Sequence, residues 1–193
     1  MGNKKLIKMN IYYTTSAGEG QDQPKTSASL GGFRAGNTVR NDDFDNLFGE
    51  ISTYTVAQGR DSYIALVLKN DLPISAENVQ IWIEEEENPY CNYQIAVVEM
   101  TEQGESMVME RTRDMYSRPY YADFNVLSLE NKGSLGTMGS GKQFGVWIKR
   151  ILNRENIESG SNNLFEQDPN NPHRVRSVNK EKQEVFKVCV SWD

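Results

Sequence analysis

The stretch Tyr63–Glu84, YIALVLKNDLPISAENVQIWIE, predicts the fold of this chain. Its first part, Tyr63–Leu68, is apolar. The polar Lys69–Asp71 follows, and apolar side chains then recur at every second position from Val79 to Ile83. Apolar residues with a period of two indicate a half-buried β-strand, because successive side chains of a strand point to opposite faces. The stretch therefore predicts two strands that are joined by a short polar loop.

A second stretch, Leu135–Leu152, repeats this pattern as LGTMGSGKQFGVWIKRIL. Its glycines predict a turn, and apolar residues alternate from Phe144 to Ile148 after that turn. The same reasoning predicts strands near 4–13, 51–57, 62–69, 78–86, 93–100, 106–111, 124–129, 143–152 and 185–192. Strands that follow one another across polar loops and glycine turns are typical of an antiparallel β-sandwich, so the chain is predicted to be all-β.

Composition limits the classes of partner. The chain has 193 residues and a formal net charge of −6, and no run of Lys and Arg offers a stripe for phosphates. No apolar stretch is long enough to span a bilayer, and the N-terminal residues lack the apolar core of a secretory signal. Two cysteines do not make a disulfide framework, which suits a reducing cytosol. We expect no nucleic acid, membrane, small-molecule substrate or cofactor as a partner.

The N-terminal part differs from the rest. Thr14–Asn41 is rich in Gly, Ser, Thr, Gln and Asn, and it cannot bury enough apolar surface to fold alone. Residues 1–50 are therefore predicted to form a strand and an extended N-terminal arm that contacts other chains, with a helical turn over Asn41–Phe48. Residues 51–193 are predicted to form the sandwich domain, with a polar insertion near 153–180.

Motifs for chemistry are weak in this sequence. Gly136–Lys142 satisfies the spacing of a phosphate-binding loop, but Gln143 replaces the Ser or Thr that holds magnesium, and a strand pattern follows where a helix is required. His173 is the single histidine, so neither a zinc site nor a thiol nucleophile with a histidine partner is expected. The acidic cluster Glu84–Glu87 suits a solvated strand end better than a site, and the spacing of Asp42, Asp43 and Asp45 lacks the Gly and the distal Glu of a known calcium loop.

Tyrosines mark one predicted loop. Tyr116, Tyr120 and Tyr121 flank Arg118 and Pro119 within the segment 112–123. Exposed tyrosines on such a loop can stack on sugars or anchor a protein interface, because the ring is apolar and its hydroxyl is polar. The alternative is that these rings pack against their own domain.

The two stretches together resemble the immunoglobulin-like virion structural proteins of tailed bacteriophages. The resemblance lies in Lys69–Asn70, Val79–Ile83, the turn from Leu135 to Gly141, and Trp147–Arg150. The segment Ser29–Phe48 is also similar to the arm that precedes the domain in such proteins. The resemblance covers about half of the chain.

This resemblance implies an antiparallel immunoglobulin-like β-sandwich without catalytic activity. It implies a multicopy ring or collar component near the portal–tail junction of a virion assembled in the host cytoplasm. The implied partners are other copies of the chain and other virion proteins, namely portal, ring or capsid proteins. Capsid decoration is one alternative function, a carbohydrate-binding or adhesin module is another, and an enzyme is the third choice.

Two tryptophans extend this hypothesis. Trp82 and Trp147 each lie between apolar neighbours, so their strands are apolar on both faces, and the face outside the sandwich core needs a cover. That cover is an arm, a loop or a neighbouring subunit, and we expect at least one of the two tryptophans at a subunit or arm contact. The candidate assembly contacts are Leu30, Phe33, Phe44, Leu47, Phe48, Trp82, Tyr120, Tyr121 and Trp147.

Overall fold

The computed structural model describes residues 9–39, 47–48, 59–85, 91–153, 165–168, 171–177 and 186–193. Within these residues one short 3-10 helix, Thr26–Ala28, accompanies a set of β-strands. The strands are β1 Met9–Thr15, β2 Gly32–Thr38, β3 Ser62–Asn70, β4 Ala76–Glu85, β5 Cys91–Glu99, β6 Thr101–Gln103, β7 Ser106–Met109, β8 Gly133–Met138, β9 Gln143–Leu152, β10 Phe165–Asp168, β11 Asn171–Ser177 and β12 Phe186–Ser191.

The strands form three sheets. The largest has seven strands in the order β5-β9-β3-β1-β2-β7-β6, the second has the order β12-β4-β8, and β10 pairs with β11 in a hairpin. Every pair of neighbouring strands is antiparallel. The prediction of an all-β chain with antiparallel sheets is confirmed.

The main core lies between the seven-stranded sheet and the sheet of β12, β4 and β8. Ile64, Leu66 and Leu68 of β3 point into it, and Val79 and Ile81 of β4 meet them from the other sheet. All five of these side chains are fully buried. The alternation along Tyr63–Glu84 therefore defines one face of each of the two sheets that enclose this core.

A second apolar cluster covers the opposite face of the seven-stranded sheet. Tyr63, Ala65 and Val67 of β3 point into it, and Trp147 of β9 lies at its centre with no exposed surface. Residues from β5, β7 and the connection after β7 complete the cluster. The sheet is thus buried on both faces, which explains why β3 is apolar at successive positions.

The curl of the seven-stranded sheet closes this second cluster. A Cβ added at Gly145 of β9 would lie 2.7 Å from Cγ2 of Val98 and 3.1 Å from Cε of Met109. Met109 belongs to β7, which lies near the far end of the sheet order from β5 and β9. The sheet must therefore curl over its own face to bring β7 onto β9, and glycine at position 145 leaves the space for Met109.

The prediction that residues 14–50 form an extended arm is wrong for those of them that the structure describes. β2 lies between β1 and β7 in the seven-stranded sheet, and Ala35 is buried in the main core. Ser29 is fully buried, accepts a hydrogen bond from the Thr14 amide at 2.8 Å and donates one to the Ala65 carbonyl at 2.5 Å. The polar composition misled the prediction, because strand pairing and buried hydroxyl bonds do not require apolar side chains.

Other parts of the predicted arm also belong to the molecule's own core. Leu47 and Phe48 are buried in the main core, and the Phe48 ring lies 6.0 Å from the Tyr93 ring. Phe44, most of the predicted helical turn Asn41–Phe48 and the predicted boundary at residues 50 and 51 lie outside the described residues.

Most strands predicted from alternation are confirmed. The confirmed strands correspond to β1, β3, β4, β5, β7, β9 and β12, and β9 has the predicted bounds 143–152. The strands β2, β6 and β8 were not predicted, and β10 and β11 lie within the predicted polar insertion 153–180. The prediction of a strand near 124–129 was wrong, since in this segment only Asn125 forms a β-bridge, and its partner is Ile95. The strand near 51–57 lies outside the described residues.

A buried asparagine explains the Lys69–Asn70 motif. The Asn70 side-chain amide donates to the carbonyl oxygens of Ile74 at 3.0 Å and Met138 at 2.7 Å, and its oxygen accepts from the Leu72 amide at 2.9 Å. It therefore joins the loop after β3 to the β8–β9 turn. That turn is shorter than predicted, because β8 continues to Met138 and the Lys142 amide bonds to the Gly139 carbonyl at 3.0 Å.

Candidate protein-interaction surface

The connection between β7 and β8, residues 110–132, carries an unusual amount of exposed apolar surface. We call it the β7–β8 loop. Tyr120 is 84% exposed, Tyr121 78%, Val126 61% and Leu129 59%. Among the described residues, the other large apolar side chains that are exposed are Ile74 and Trp192. Long connections without strands are often functional, so this concentration marks the loop as a candidate surface for binding.

Backbone hydrogen bonds hold the β7–β8 loop against the seven-stranded sheet. The Tyr63 amide donates to the Met115 carbonyl at 2.6 Å, which fixes the first part of the loop on β3. Asn125 and Ile95 exchange two bonds of 2.9 Å at the edge of β5. The loop therefore passes from the curled face of the seven-stranded sheet around the edge strand β5, and on to β8.

The Glu110 carboxylate fixes the backbone of two adjacent tyrosines in this loop, Tyr120 and Tyr121. Glu110 accepts hydrogen bonds from the Tyr120 amide, at 2.8 Å to Oε1 and 2.9 Å to Oε2, and from the Tyr121 amide at 3.1 Å. Pro119 and Ala122, on either side of the pair, are buried. The two rings are exposed while their backbone is anchored, so binding through them costs little further ordering.

The geometry of the pair is edge to face. The ring centroids of Tyr120 and Tyr121 lie 4.9 Å apart with an interplanar angle of 82°. Two rings at this angle do not form the flat platform on which a sugar face stacks. They instead present two differently oriented amphipathic surfaces, which is what aromatic anchors of protein interfaces offer.

Three arginines lie in the same loop as the tyrosines. Arg111, Arg113 and Arg118 are exposed, and the Arg118 guanidinium lies 5.9 Å from the Phe124 ring centroid. Asp114 has a local role, since it accepts from the Ser117 hydroxyl at 2.8 Å and the Tyr116 amide at 3.0 Å. The bond from Ser117 is the main reason why the pKa of Asp114 is lowered. The three arginines are balanced by Glu110, Asp114 and Asp123, so this part of the loop carries no net charge.

The contact residues predicted from the sequence differ in how exposed they are. Tyr120 and Tyr121 are exposed and adjacent. Of the others, those that the structure describes are partly or fully covered by their own chain: Leu30 and Phe33 are half-buried, and Leu47, Phe48, Trp82 and Trp147 are buried. Val126 and Leu129 were missed as candidates, because the segment 124–129 was predicted to be a strand whose apolar residues face a core.

The two tryptophans lie in different environments. Trp147 is fully buried in the second cluster, where the molecule's own curled sheet and β7–β8 loop provide the cover that the sequence required. Trp82 is 8% exposed; its Nε1 donates to Glu84 at 3.1 Å, and the Lys132 ammonium lies 4.2 Å from its ring centroid. Neither tryptophan presents a large free surface, so the tyrosines are the better candidates for contact with another molecule.

A polar cluster lies across β1 and β3, apart from the β7–β8 loop. The Asp71 carboxylate accepts hydrogen bonds from the Tyr12 hydroxyl at 2.6 Å and from the Asn10 side-chain amide at 2.7 Å. It also forms an ion pair with the Lys69 ammonium at 3.0 Å. Burial alone would raise the pKa of Asp71, but these three donors together lower it. Burial and the bond to Asp71 raise the pKa of Tyr12 to about 12.

Tyr12→Phe is expected to change how stability depends on pH. The phenol of the unfolded chain titrates near its ordinary pKa of 10.0 and that of the folded chain near 12, so the unfolded state loses its proton first as the pH rises. The wild type therefore loses stability between pH 10 and 12 in a component that Tyr12→Phe lacks. At neutral pH the variant should be less stable by about 1–2 kcal/mol, because Asp71 loses a donor.

Urea unfolding at several pH values measures this effect. Tyr121→Phe is the matched control, because Tyr121 is 78% exposed and its substitution should change stability by about 0.5 kcal/mol or less. Equal pH profiles for the wild type and Tyr12→Phe would contradict the proposed role of the bond between Tyr12 and Asp71.

Known motifs for chemistry are not assembled in the described residues. The strand β9 follows the glycine turn, so the helix that a phosphate-binding loop requires is not present there. Lys142 instead forms an ion pair with Glu99 at 3.1 Å. No group of three or more His, Cys, Asp or Glu in the described part of the chain is placed to hold a metal ion. Asp42, Asp43 and Asp45 lie outside that part.

Comparison with known proteins adds no relative. No family model matches this chain, and no curated protein or solved structure matches it either. The helical parts of the described residues include no segment that is long and apolar enough to cross a membrane.

Proposed function

We propose that this chain is a non-enzymatic assembly protein of a tailed-phage virion, a multicopy ring or collar component near the portal–tail junction. Its fold would be an immunoglobulin-like β-sandwich with a curled larger sheet. Two observations support this proposal: the sequence resemblance over Tyr63–Glu84 and Leu135–Leu152, and the exposed β7–β8 loop. The partners would be further copies of the chain and the neighbouring portal, ring or capsid proteins.

The tyrosine pair carries the binding part of the proposal. Tyrosine and arginine are enriched among the residues that dominate protein interfaces, and the β7–β8 loop presents Tyr120 and Tyr121 beside three exposed arginines. The bonds from the tyrosine amides to Glu110 fix the loop before a partner arrives. Such preorganisation reduces the entropic cost of association.

The alternative functions differ in how this loop would be used. A capsid decoration protein would use it in the same way at another place on the particle. A carbohydrate-binding or adhesin module would be better served by coplanar rings, and the angle of 82° between Tyr120 and Tyr121 does not provide them. The geometry therefore favours a protein partner over a sugar.

Co-expression tests this function. The tagged chain is produced together with the proteins encoded beside it in its source genome, and the captured complexes are identified and weighed. The wild type is expected to form a complex with at least one of them. Tyr120→Ser combined with Tyr121→Ser should weaken that complex by about tenfold or more, because interface anchors typically contribute over 1 kcal/mol each.

Ile74→Ser is the matched control, because Ile74 is also exposed, at 67%, but lies outside the β7–β8 loop. It should leave the complex unchanged. Absence of any complex with the neighbouring proteins would contradict the assembly function. Equal capture by the tyrosine variant and the wild type would contradict the role of the loop.

A further inference from the structure

We infer that the β6–β7 hairpin, Thr101–Met109, is a flap that closes over the second apolar cluster, and that Glu19 is the latch that holds this flap shut. The flap turns about its two ends, at Met100 and Glu110, while the rest of the seven-stranded sheet stays in place. This motion belongs to the chain itself and does not depend on the proposed virion function.

The flap has few attachments to the rest of the sheet. β6 pairs with β7 alone among the described strands, and its three residues are exposed. β7 pairs with β2 at two positions, where Gly32 faces Met109 and Phe33 faces Val108. Segments with few buried contacts and an exposed backbone open at a lower free-energy cost than the core of the same protein. Ser106, at the start of β7, lies beyond the part that pairs with β2.

The Glu19 carboxylate, in the connection between β1 and β2, holds this free start of β7. It accepts hydrogen bonds from the Ser106 side chain and from Nε2 of Gln143, the latter at 3.3 Å. The Arg34 guanidinium of β2 lies 3.4 Å from the same carboxylate. Gln143 begins β9, which is not a neighbour of β7 in the sheet order. One side chain therefore joins the flap to a strand on the other side of the curl.

The donors around Glu19 keep its carboxylate ionised. Burial alone would raise the pKa of Glu19, but the bonds from Gln143, Ser106 and Arg34 together lower it. A lowered pKa shows that these donors stabilise the charged form. At neutral pH the latch is therefore a charged group, and hydrogen bonds to a charged group are stronger than those between neutral groups.

The latch can release because its polar network is incomplete. Nε of Arg34 and Oε1 of Gln143 are buried and have no hydrogen-bond partner within the described residues. An unpaired buried polar atom costs free energy, and water removes this cost when the site opens. The Glu19 side chain is 24% exposed, so water can compete for its bonds. Opening therefore offsets part of the free energy that breaking the latch requires.

Methionines form the inner side of the flap. Met109 is 3% exposed and belongs to the second cluster, and the half-buried Met107 packs against that cluster. A Cβ added at Gly145 would lie 3.1 Å from Cε and 3.2 Å from Sδ of Met109, so the methionine occupies the space that this glycine leaves. Methionine is unbranched and adapts its shape to its surroundings. A contact made by methionine can therefore separate and form again with little strain.

Amide hydrogen exchange of the full chain at neutral pH tests the flap. In the wild type the amides of Thr101–Met109 should exchange faster than those of β3 and β4, because the flap opens without global unfolding. Glu19→Ala should raise the exchange rates within the flap by about tenfold or more. Glu19→Gln keeps an acceptor oxygen but lacks the charge, so its effect should be intermediate. Ser106→Ala removes one bond of the latch and should act in the same direction if Glu19→Ala fails to fold.

Two controls separate flap opening from other effects. Val188→Ala weakens the main core, so it should speed exchange in β3 and β4 but leave the flap rates unchanged, because flap opening keeps that core intact. Asp22→Ala removes an exposed carboxylate from the same connection as Glu19 and should leave the flap rates at the wild-type value.

Methionine oxidation by hydrogen peroxide, followed by mass spectrometry, gives a second measurement. Met109 and Met138 are both buried, with 3% and 0% of their surface exposed, but Met138 lies in the main core. Met109 should be oxidised faster than Met138 in the wild type, and Glu19→Ala should raise its rate by about tenfold or more. Val188→Ala should leave the rate at Met109 unchanged.

Three results would each overturn the inference. The first is exchange of the flap amides that is no faster than that of β3 and β4 in the wild type. The second is faster flap exchange in Val188→Ala, because the flap would then open only with the whole domain. The third is unchanged flap exchange in both Glu19→Ala and Ser106→Ala. All these measurements use the chain without a partner, so their outcome is separate from that of the co-expression test of the proposed function.

Discussion

Trp147→Ala is expected to lower the free energy of unfolding by about 3–5 kcal/mol, a large part of the stability of a single domain. Trp147 has no exposed surface and fills the centre of the second cluster. Its neighbours in register on both flanking strands are the buried alanines Ala65 and Ala96. These two alanine side chains are too small to fill the space that the indole leaves, so we expect a cavity there.

Chemical denaturation measures this loss. Trp147→Phe is the second variant. It should lower the free energy of unfolding by less than half as much as Trp147→Ala. It should also remain folded if Trp147→Ala fails to fold. Trp192→Ala is the matched control, because Trp192 is 39% exposed and a substitution there should cost clearly less than Trp147→Ala. A small effect of Trp147→Ala, similar to that of Trp192→Ala, would show that the second cluster contributes little to the fold.

Gly31→Ala is expected to destabilise the protein by about 3 kcal/mol or more, because two penalties add. Gly31 has a φ of +93°, which side chains rarely adopt. An added Cβ would also overlap the Glu110 carbonyl oxygen and lie 2.8 Å from the Glu110 carbonyl carbon and 3.0 Å from Cα of Arg111. These are backbone atoms, so relief requires the entry to β2 to separate from the exit of β7.

Gly139→Ala is the matched control for this substitution. A Cβ at Gly139 would meet nothing within 4 Å, and its φ is not positive, so the variant should unfold within about 0.5 kcal/mol of the wild type. Thermal unfolding compares the two variants. Since Gly31 touches the residue that anchors the tyrosine pair, Gly31→Ala should also increase hydrogen exchange at the Tyr120 amide. Equal stability of both glycine variants would contradict the close approach seen at Gly31.

Regular alternation made six strands beyond the N-terminal one predictable. β3, β4, β5, β7, β9 and β12 have apolar side chains at alternate or successive positions, and each lies close to its predicted range. The strands that were missed have another character: β2 reads GFRAGNT and β6 reads TEQ. β2 pairs with β1 and β7, and β6 pairs with β7, through backbone hydrogen bonds that side-chain periodicity does not report.

The candidate surface was predictable only in part. The cluster of tyrosines around Arg118 and Pro119 drew attention to the loop, but the sequence left open whether the rings bind a partner or pack on their own domain. In the structure both rings are exposed, and hydrogen bonds from the Tyr120 and Tyr121 amides to Glu110 anchor their backbone. No spacing rule links a glutamate to amides ten and eleven residues later, since the loop path between them sets that contact.

The sequence by itself determined the all-β class, most of the alternating strands, and the need to cover both faces of β4 and β9, the strands that hold Trp82 and Trp147. The tertiary structure alone decided what covers the second face. A neighbouring subunit, an arm and a loop were equally compatible with two-sided apolar strands, because periodicity reports that a face is buried and not what buries it. The curl of the seven-stranded sheet, with Gly145 leaving space for Met109, supplies the cover from within the molecule.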